Sequence, residues 1–286
     1  MISVSNKEWS ERIFDINRVD KCSQDNDFSQ ILSKLIISRK FNDEEIHSIN
    51  NPDSIIFSNV FRFNIDFKNA VKLVFDAINR KEKVCIFGDY DVDGSCATAL
   101  IIKFFKSIDH PHFYLIPDRE KDGYGLNVKL VKKIIKEQPK LIIMVDNGSN
   151  STKEINLLKE NKIDTLVIDH HQINEPFPKA NVIINPKKNN GYIKNDYMCA
   201  TLLTFFFIDL LKEKIATNFH LNDYLIYPLM ATICDVMPLR YVNRFLAIYA
   251  LKKFDLKKVN SIKIIFDLLK NEKKISIDNF GFLIGP

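Results

Sequence analysis

The sequence predicts an α/β fold: a mostly parallel sheet flanked by helices, with N-terminal helices before it and a helical C-terminal annex after it. Three observations predict this. Five short apolar runs rich in β-branched residues recur between residues 84 and 184, and helix-spaced patterns alternate with them. The runs are continuously apolar, as from Leu141 to Val145, which suits strands covered on both faces. After Tyr197 the periodicity is helical alone.

Taken in order, residues 1–25 are polar and read as irregular. From Phe28 to Asn50 the residues Ile31, Leu32, Leu35 and Ile36 recur at helical spacing, and two short helices fit. Asp66 to Arg80 reads as a further helix with Ala70, Val71, Val74, Phe75 and Ile78 on one stripe. Strands are expected at Val84–Phe87, His112–Ile116, Leu141–Val145, Thr165–Ile168 and Val182–Ile184. Helices at Cys96–Lys106, Val128–Glu137 and Thr152–Asn161 would connect them, the alternation of a parallel sheet. Helices follow at 197–213, 222–234, 241–254 and 259–270, with eight lysines over 252–274. The lysine stretch reads either as a track for a DNA backbone or as the solvated face of two helices. The domains expected are an N-terminal helical extension (1–65), an α/β core (66–190) and the annex (191–286).

Composition narrows the class. Over 286 residues, 46% are hydrophobic and 27% charged, which excludes a disordered or collagen-like chain. The formal charge of +5 permits a polyanionic partner without requiring one. Five cysteines, with no CxxC spacing, fit reduced and buried thiols. The N-terminus lacks a basic-then-apolar signal pattern, and the longest greasy stretch, Leu202 to Leu211, is half a membrane span and carries Asp209. A cytoplasmic protein with no membrane partner is expected.

The chemistry sits where the strands end. Val84–Phe87 runs into Gly88-Asp89-Tyr90-Asp91-Val92-Asp93-Gly94, Leu141–Val145 into Asp146-Asn147-Gly148, and Thr165–Ile168 into Asp169-His170-His171. Ligand sites of open α/β sheets assemble at that carboxyl edge. Bare carboxylates there carry a desolvation cost unless a cation offsets it, and no lysine lies within these segments. A pair of divalent cations fits better. Oxygen ligands favour Mg²⁺ or Mn²⁺, and the imidazole tilts the choice toward Mn²⁺. Strand alternation would put Asp89 and Asp91 on one side. Taken singly, each feature has a plain structural explanation: Asp93 as a helix N-cap, Asp146-Asn147-Gly148 as a turn, the histidine pair as surface or core. His47, His110, His112 and His220 have no such context and read as structural.

As a set, GDYDVDG (88–94), VDNG (145–148) and IDHH (168–171) resemble the successive motifs of the DHH phosphoesterase superfamily, and within it the RecJ single-strand-specific exonucleases. IPDREKDGYGLN (116–127), MATICDVMPL (230–239), NPKK (185–188) and FGFLIGP (280–286) are similar to further RecJ segments. The small-molecule pyrophosphatases of the superfamily carry a histidine four residues before the first aspartate; here that position is Cys85.

The resemblance implies two divalent cations, Mn²⁺ or Mg²⁺, held by Asp89, Asp91, Asp146, His170 and Asp235, with Asp146 bridging. It implies that His171 faces the scissile phosphate; Asp93, whose place also suits a helix N-cap, is read from the residues as a supporting member of the catalytic set. Arg119 would fork onto a phosphate, the 5′-terminal one, and Tyr124 would stack a base. The implied activity is 5′→3′ hydrolysis of single-stranded DNA in repair or recombination. A phosphodiesterase acting on short oligonucleotides or dinucleotides is the second reading. A non-catalytic module binding DNA or a partner is the third. RecJ proteins continue into a DHH-associated domain and an oligonucleotide-binding fold, neither of which is expected within the stretch up to Pro286. The sequence therefore reads as a fragment of a longer chain, as one half of a split gene with a second polypeptide as partner, or as a minimal version. Met198-Cys199-Ala200 departs from the glycine-bearing segment usual at that place.

Overall fold

The computed structural model describes residues 2–10, 12–51, 57–188, 197–253, 260–268 and 276–286. It divides into two compact units, 1–56 and 57–286, so the expected α/β core and helical annex share the second unit.

The first unit holds three helices. α1 (Ile16–Asn26) lies where the sequence reads as irregular; Asp15 caps it by accepting from the Asn17 backbone N–H, and only Val19 and Cys22 are buried. A stripe of two residues is too thin to register as periodicity, which is why the helix goes unseen in the sequence. α2 (Gln30–Ser38) and α3 (Asp43–Asn50) are the expected pair, opened by Ser29 and by a capping box between Asn42 and Glu45. Cys22, Phe28 and Ile36 form this unit's small core.

The second unit is a five-stranded parallel sheet: β1 (Val84–Phe87), β2 (His112–Leu115), β3 (Leu141–Val145), β4 (Asp164–Ile168) and β5 (Val182–Ile184), ordered β2-β1-β3-β4-β5. Alternate residues serve the two faces. Val84, Ile86, Ile143, Leu166 and Ile184 pack with α4 (Ile65–Asn79), α5 (Val92–Ser107) and α8 (Ala200–Ile215). Cys85, Phe87, Ile142, Met144 and Val167 pack with α6 (Val128–Lys136) and α7 (Thr152–Glu160). Each fully buried large side chain, such as Phe67, Phe104 or Phe206, contributes about 1.5–3 kcal/mol relative to exposure.

The annex continues through a 3₁₀ turn (Leu221–Tyr224), α9 (Ile226–Cys234), α10 (Tyr241–Lys253), α11 (Asn260–Leu268), α12 (Ile277–Asn279) and a π-type turn (Phe280–Ile284). The helix expected from 222 therefore starts at Ile226, after the tighter turn. The one expected from 197 starts at Ala200, where a distant carboxylate caps it. The lysine-rich 252–274 stretch falls largely outside the described residues. Among the described residues, no helix is long and apolar enough to cross a membrane.

Strand order reverses between β1 and β3. The crevice outside the carboxyl ends at such a switch point is where sheets of this type place their ligands.

Candidate metal centre

Ladder bonds persist one residue beyond the strands and fix the acids at the crevice. Asp146 N donates to the Ile168 carbonyl at 2.9 Å, Asp169 N to that of Ile184 at 3.0 Å, and Gly88 N to that of Leu115 at 3.1 Å. Asp146 itself sits at φ +61°, a left-handed conformation that a non-glycine residue adopts at a cost of about 1–3 kcal/mol and that recurs at functional sites.

The first motif does not stay extended. β1 ends at Phe87, and Asp91 caps α5 by accepting from Gly94 N at 2.9 Å. Asp89 and Asp91 therefore converge through a turn and a helix start, not through the strand alternation expected. Their ligand atoms and that of Asp146 lie within 4.8 Å of one another. Gly94 permits the turn: a Cβ there would stand 2.6 Å from the Asp89 backbone nitrogen.

Asp93 points elsewhere. Its carboxylate accepts from Ala200 N and Thr201 N, each at 2.7 Å, and the Thr201 hydroxyl donates to its carbonyl at 2.8 Å. It is the N-terminal cap of α8, 107 residues away. One oxygen still lies 3.5 Å from His170 Nε2.

His170 is the hub. Its Nε2 lies 3.1 Å from Asp146 Oδ1, 3.4 Å from Asp235 Oδ2 and 3.5 Å from Asp93 Oδ2. An imidazole nitrogen carries at most one hydrogen and cannot satisfy three carboxylates. Both Asp146 oxygens and Asp235 Oδ2 are buried without a hydrogen-bond partner. Asp235 reaches the centre as the C-cap of α9, with Val236 after it in the left-handed region at φ 53°.

The electrostatics follow from crowding. Burial, then the charges of Asp93, Asp91 and Asp169, push the Asp146 carboxyl up to about 12. Burial and the same two neighbours, Asp93 and Asp91, raise Asp235 to about 6, and burial raises Asp89. Burial lowers His170 despite Asp93 beside it. Asp169 goes the other way: burial alone would raise it, but the donors of His171 and Ser149 hold it well below the usual carboxylate range. Its Oδ1 lies 2.8 Å from His171 Nδ1 and accepts from the His170 and His171 backbone N–H groups. That bond raises the His171 pKa.

The donors fit hard divalent cations. Orphaned carboxylate oxygens with one or two imidazoles are the ligand set of Mn²⁺ or Mg²⁺, and the like-charged crowd is relieved by positive charge at its middle.

The flanking residues also gather here. Tyr124 is 57% exposed; its hydroxyl donates to the Asp146 carbonyl at 3.4 Å and lies 3.4 Å from both ring nitrogens of His171. The Arg119 guanidinium stacks 5.5 Å over the Tyr90 ring, beside the first motif. Two contributors carry no role in the sequence reading. Asp169 orients His171, and its signal was a carboxylate directly before two histidines. Asn185, fully buried, donates to Ser149 Oγ at 2.7 Å and to the His171 carbonyl at 2.9 Å; an asparagine directly after a buried strand was the available signal. His112 Nδ1 lies 2.7 Å from the His110 carbonyl in the β2 approach, and among the described residues neither histidine joins a cluster of metal-ligating side chains.

The pattern of the DHH family's N-terminal domain matches residues 83–232, just over half of the chain, and the chain belongs to that family. Its relatives include RecJ proteins. The chain is 29% identical over 230 residues to the single-stranded-DNA-specific exonuclease RecJ of Haemophilus influenzae, covering 77% of this chain and 40% of that protein. It is 25% identical over 259 residues to RecJ of Bacillus subtilis, covering 90% of this chain and 32% of that one. The chain thus spans two-fifths or less of these relatives' length. A crystal structure of exonuclease RecJ bound to manganese superposes with a TM-score of 0.70 at 23% identity, covering 77% of this chain and 56% of the other. RecJ from Thermus thermophilus in complex with Mn²⁺ gives 0.75 at 18% identity, with 95% and 38% covered. These two establish the fold.

Proposed function

We propose that the chain is a metal-dependent phosphodiesterase that hydrolyses single-stranded DNA 5′→3′. Asp89, Asp91, Asp146, His170 and Asp235 would hold two divalent cations, Mn²⁺ or Mg²⁺. The observation that carries the reading is the buried, doubly unpartnered Asp146 facing His170 at the switch point of the sheet. The RecJ relatives, named for single-stranded-DNA-specific exonuclease activity, support the substrate class. Bound divalent cations supply Lewis-acid activation of water and charge neutralisation on the phosphate.

The chain's own residues do the rest. Asp169 fixes the His171 ring through Nδ1, which would hold the imidazole in place to face a phosphate oxygen. Tyr124 closes the wall beside His171 with its hydroxyl and leaves half its ring open to a base. Arg119, exposed on its loop, would take the 5′-terminal phosphate. Asp93 acts at one remove, by holding the first turn of α8 against the centre.

The test is Mn²⁺-dependent release of nucleotides from 5′-labelled and 3′-labelled single strands, with Asp146→Ala as control. Release beginning at the 5′ end and lost in the variant is expected. Release from the 3′ end, or release that survives Asp146→Ala, would overturn the reading.

A further inference from the structure

We infer that Lys187 is a substrate-binding residue that grips the phosphate on the 3′ side of the scissile linkage, so that a single strand lies across the sheet edge from the β2 loop to the β5 loop. This rests on the hydrolase reading above and adds to it the path by which the strand leaves.

The turn Asn185-Pro186-Lys187-Lys188 follows β5 at the same edge as the acids, and it is firmly held. The Asn185 side chain donates to Ser149 Oγ and to the His171 carbonyl, while its Oδ1 accepts from Lys187 N at 2.8 Å. One buried side chain therefore separates the Lys187 backbone from the histidine pair.

The two lysines of the turn differ. Lys188 Nζ lies 3.2 Å from Asp66 Oδ1 and reaches the Ile183 carbonyl at 3.5 Å, with its side chain 20% exposed. Lys187 is exposed, and among the described residues its ammonium has no hydrogen-bond or ion-pair partner. Its backbone N–H is held by the same Asn185 side chain that donates to the His171 carbonyl, which places the turn beside the histidine pair. A held backbone, an unpaired ammonium and a position beside the centre together suit a phosphate that arrives with the substrate.

Strand order supplies the direction. Arg119 follows β2 at one end of the sheet, Lys187 follows β5 at the other, and the centre's acids follow β1, β3 and β4 between them. Neighbouring strands lie about 4.8 Å apart, so Lys187 stands one strand beyond His170 and His171, on the side away from Arg119. With the 5′ end at Arg119, the continuing strand passes over β5.

The test is fluorescence anisotropy of labelled oligothymidylates of two, six and twelve nucleotides, with the full chain in Ca²⁺ and NaCl varied from 50 to 200 mM. Lys187→Ala is expected to weaken binding of the longer strands about 10-fold, the loss of one charged hydrogen bond, and to reduce the magnitude of the salt slope by about 0.7. Lys187→Arg should restore both. The loss on the dinucleotide should be several-fold smaller, because that ligand has no second phosphate to grip. Unaltered affinity and slope in Lys187→Ala would overturn the inference, as would an equal loss at all three lengths. Lys187-dependent binding by a wild-type chain that releases no nucleotide in Mn²⁺ would sink the hydrolase reading and leave this contact standing.

Discussion

At the amino edge of the sheet, charged side chains find partners near solvent. Lys83 Nζ lies 2.8 Å from Glu137 where β1 begins, and Asn181 donates to Asp164 at 2.8 Å where β4 begins. At the carboxyl edge the same strands run out into Asp89, Asp146 and Asp169, each 2% exposed or less. Among the described residues, the ion-pair contacts of these acids go only to His170 and His171. The strands between are equally apolar, so the contrast is not one of folding pattern. It teaches that one edge pairs its polar groups, while the other buries the Asp146 carboxyl among like neighbours without a hydrogen-bond partner.

The sharpest way to break this contrast is Asp146→Asn. Metal-dependent hydrolysis should fall by more than about 100-fold, beyond the loss from a residue that only orients a ligand. In EDTA the same variant should melt higher than wild type, by about 2–4 °C for each kcal/mol of the cost of burying the acid that neutral Asn avoids. A lower melting temperature would show that the buried acids are not in conflict. Cation should relieve the same conflict in the wild type. At Mn²⁺ concentrations near 100 Kd, mass action adds about 2.7 kcal/mol, visible as a rise in melting temperature that Asp146→Asn lacks. Next is Asp169→Asn, which removes the anchor of His171 and should weaken Mn²⁺ affinity or activity about 10–100-fold, read by titration calorimetry and nucleotide release.

Two smaller effects belong to the amino edge. Burial lowers the His110 pKa, so the folded chain binds fewer protons there than the unfolded chain. Its contribution to stability is complete above the unfolded value of about 6.5 and is lost as pH falls through the folded one. The drop in melting temperature from pH 8 to pH 5.5 should therefore shrink in His110→Phe; an unchanged drop would assign the pH dependence elsewhere. Lys83→Ala should cost less than about 1 kcal/mol in denaturant melts, as exposed pairs do.

Much of this is legible in the sequence, for identifiable reasons. The five strands show because each is an uninterrupted apolar run, and the acids show because they stand directly after those runs. What escapes detection depends on contacts far apart in the chain, or on stripes too thin to count. α1 buries two residues. The start of α8 is set by a carboxylate 107 residues upstream. Lys187 and Lys188 look alike in sequence and are told apart by the contacts of Lys188 with Asp66 and the Ile183 carbonyl. Strand alternation brings Asp89 and Asp91 together for the wrong geometric reason, because the helix start at Val92 replaces the extended backbone.

The capping of α8 by Asp93 ties the annex to the sheet edge. With no cap to make, Asp93 would be a further free carboxylate beside His170, on an edge already crowded with them. Docking turns that repulsive group into the donor-satisfied cap of a helix that also buries Leu202, Phe206 and Leu211. A sheet without its annex is thus penalised at the place where the centre forms. The first turn of α8 and the carboxylate cluster therefore share Asp93, which caps the one and lies 3.5 Å from His170 in the other.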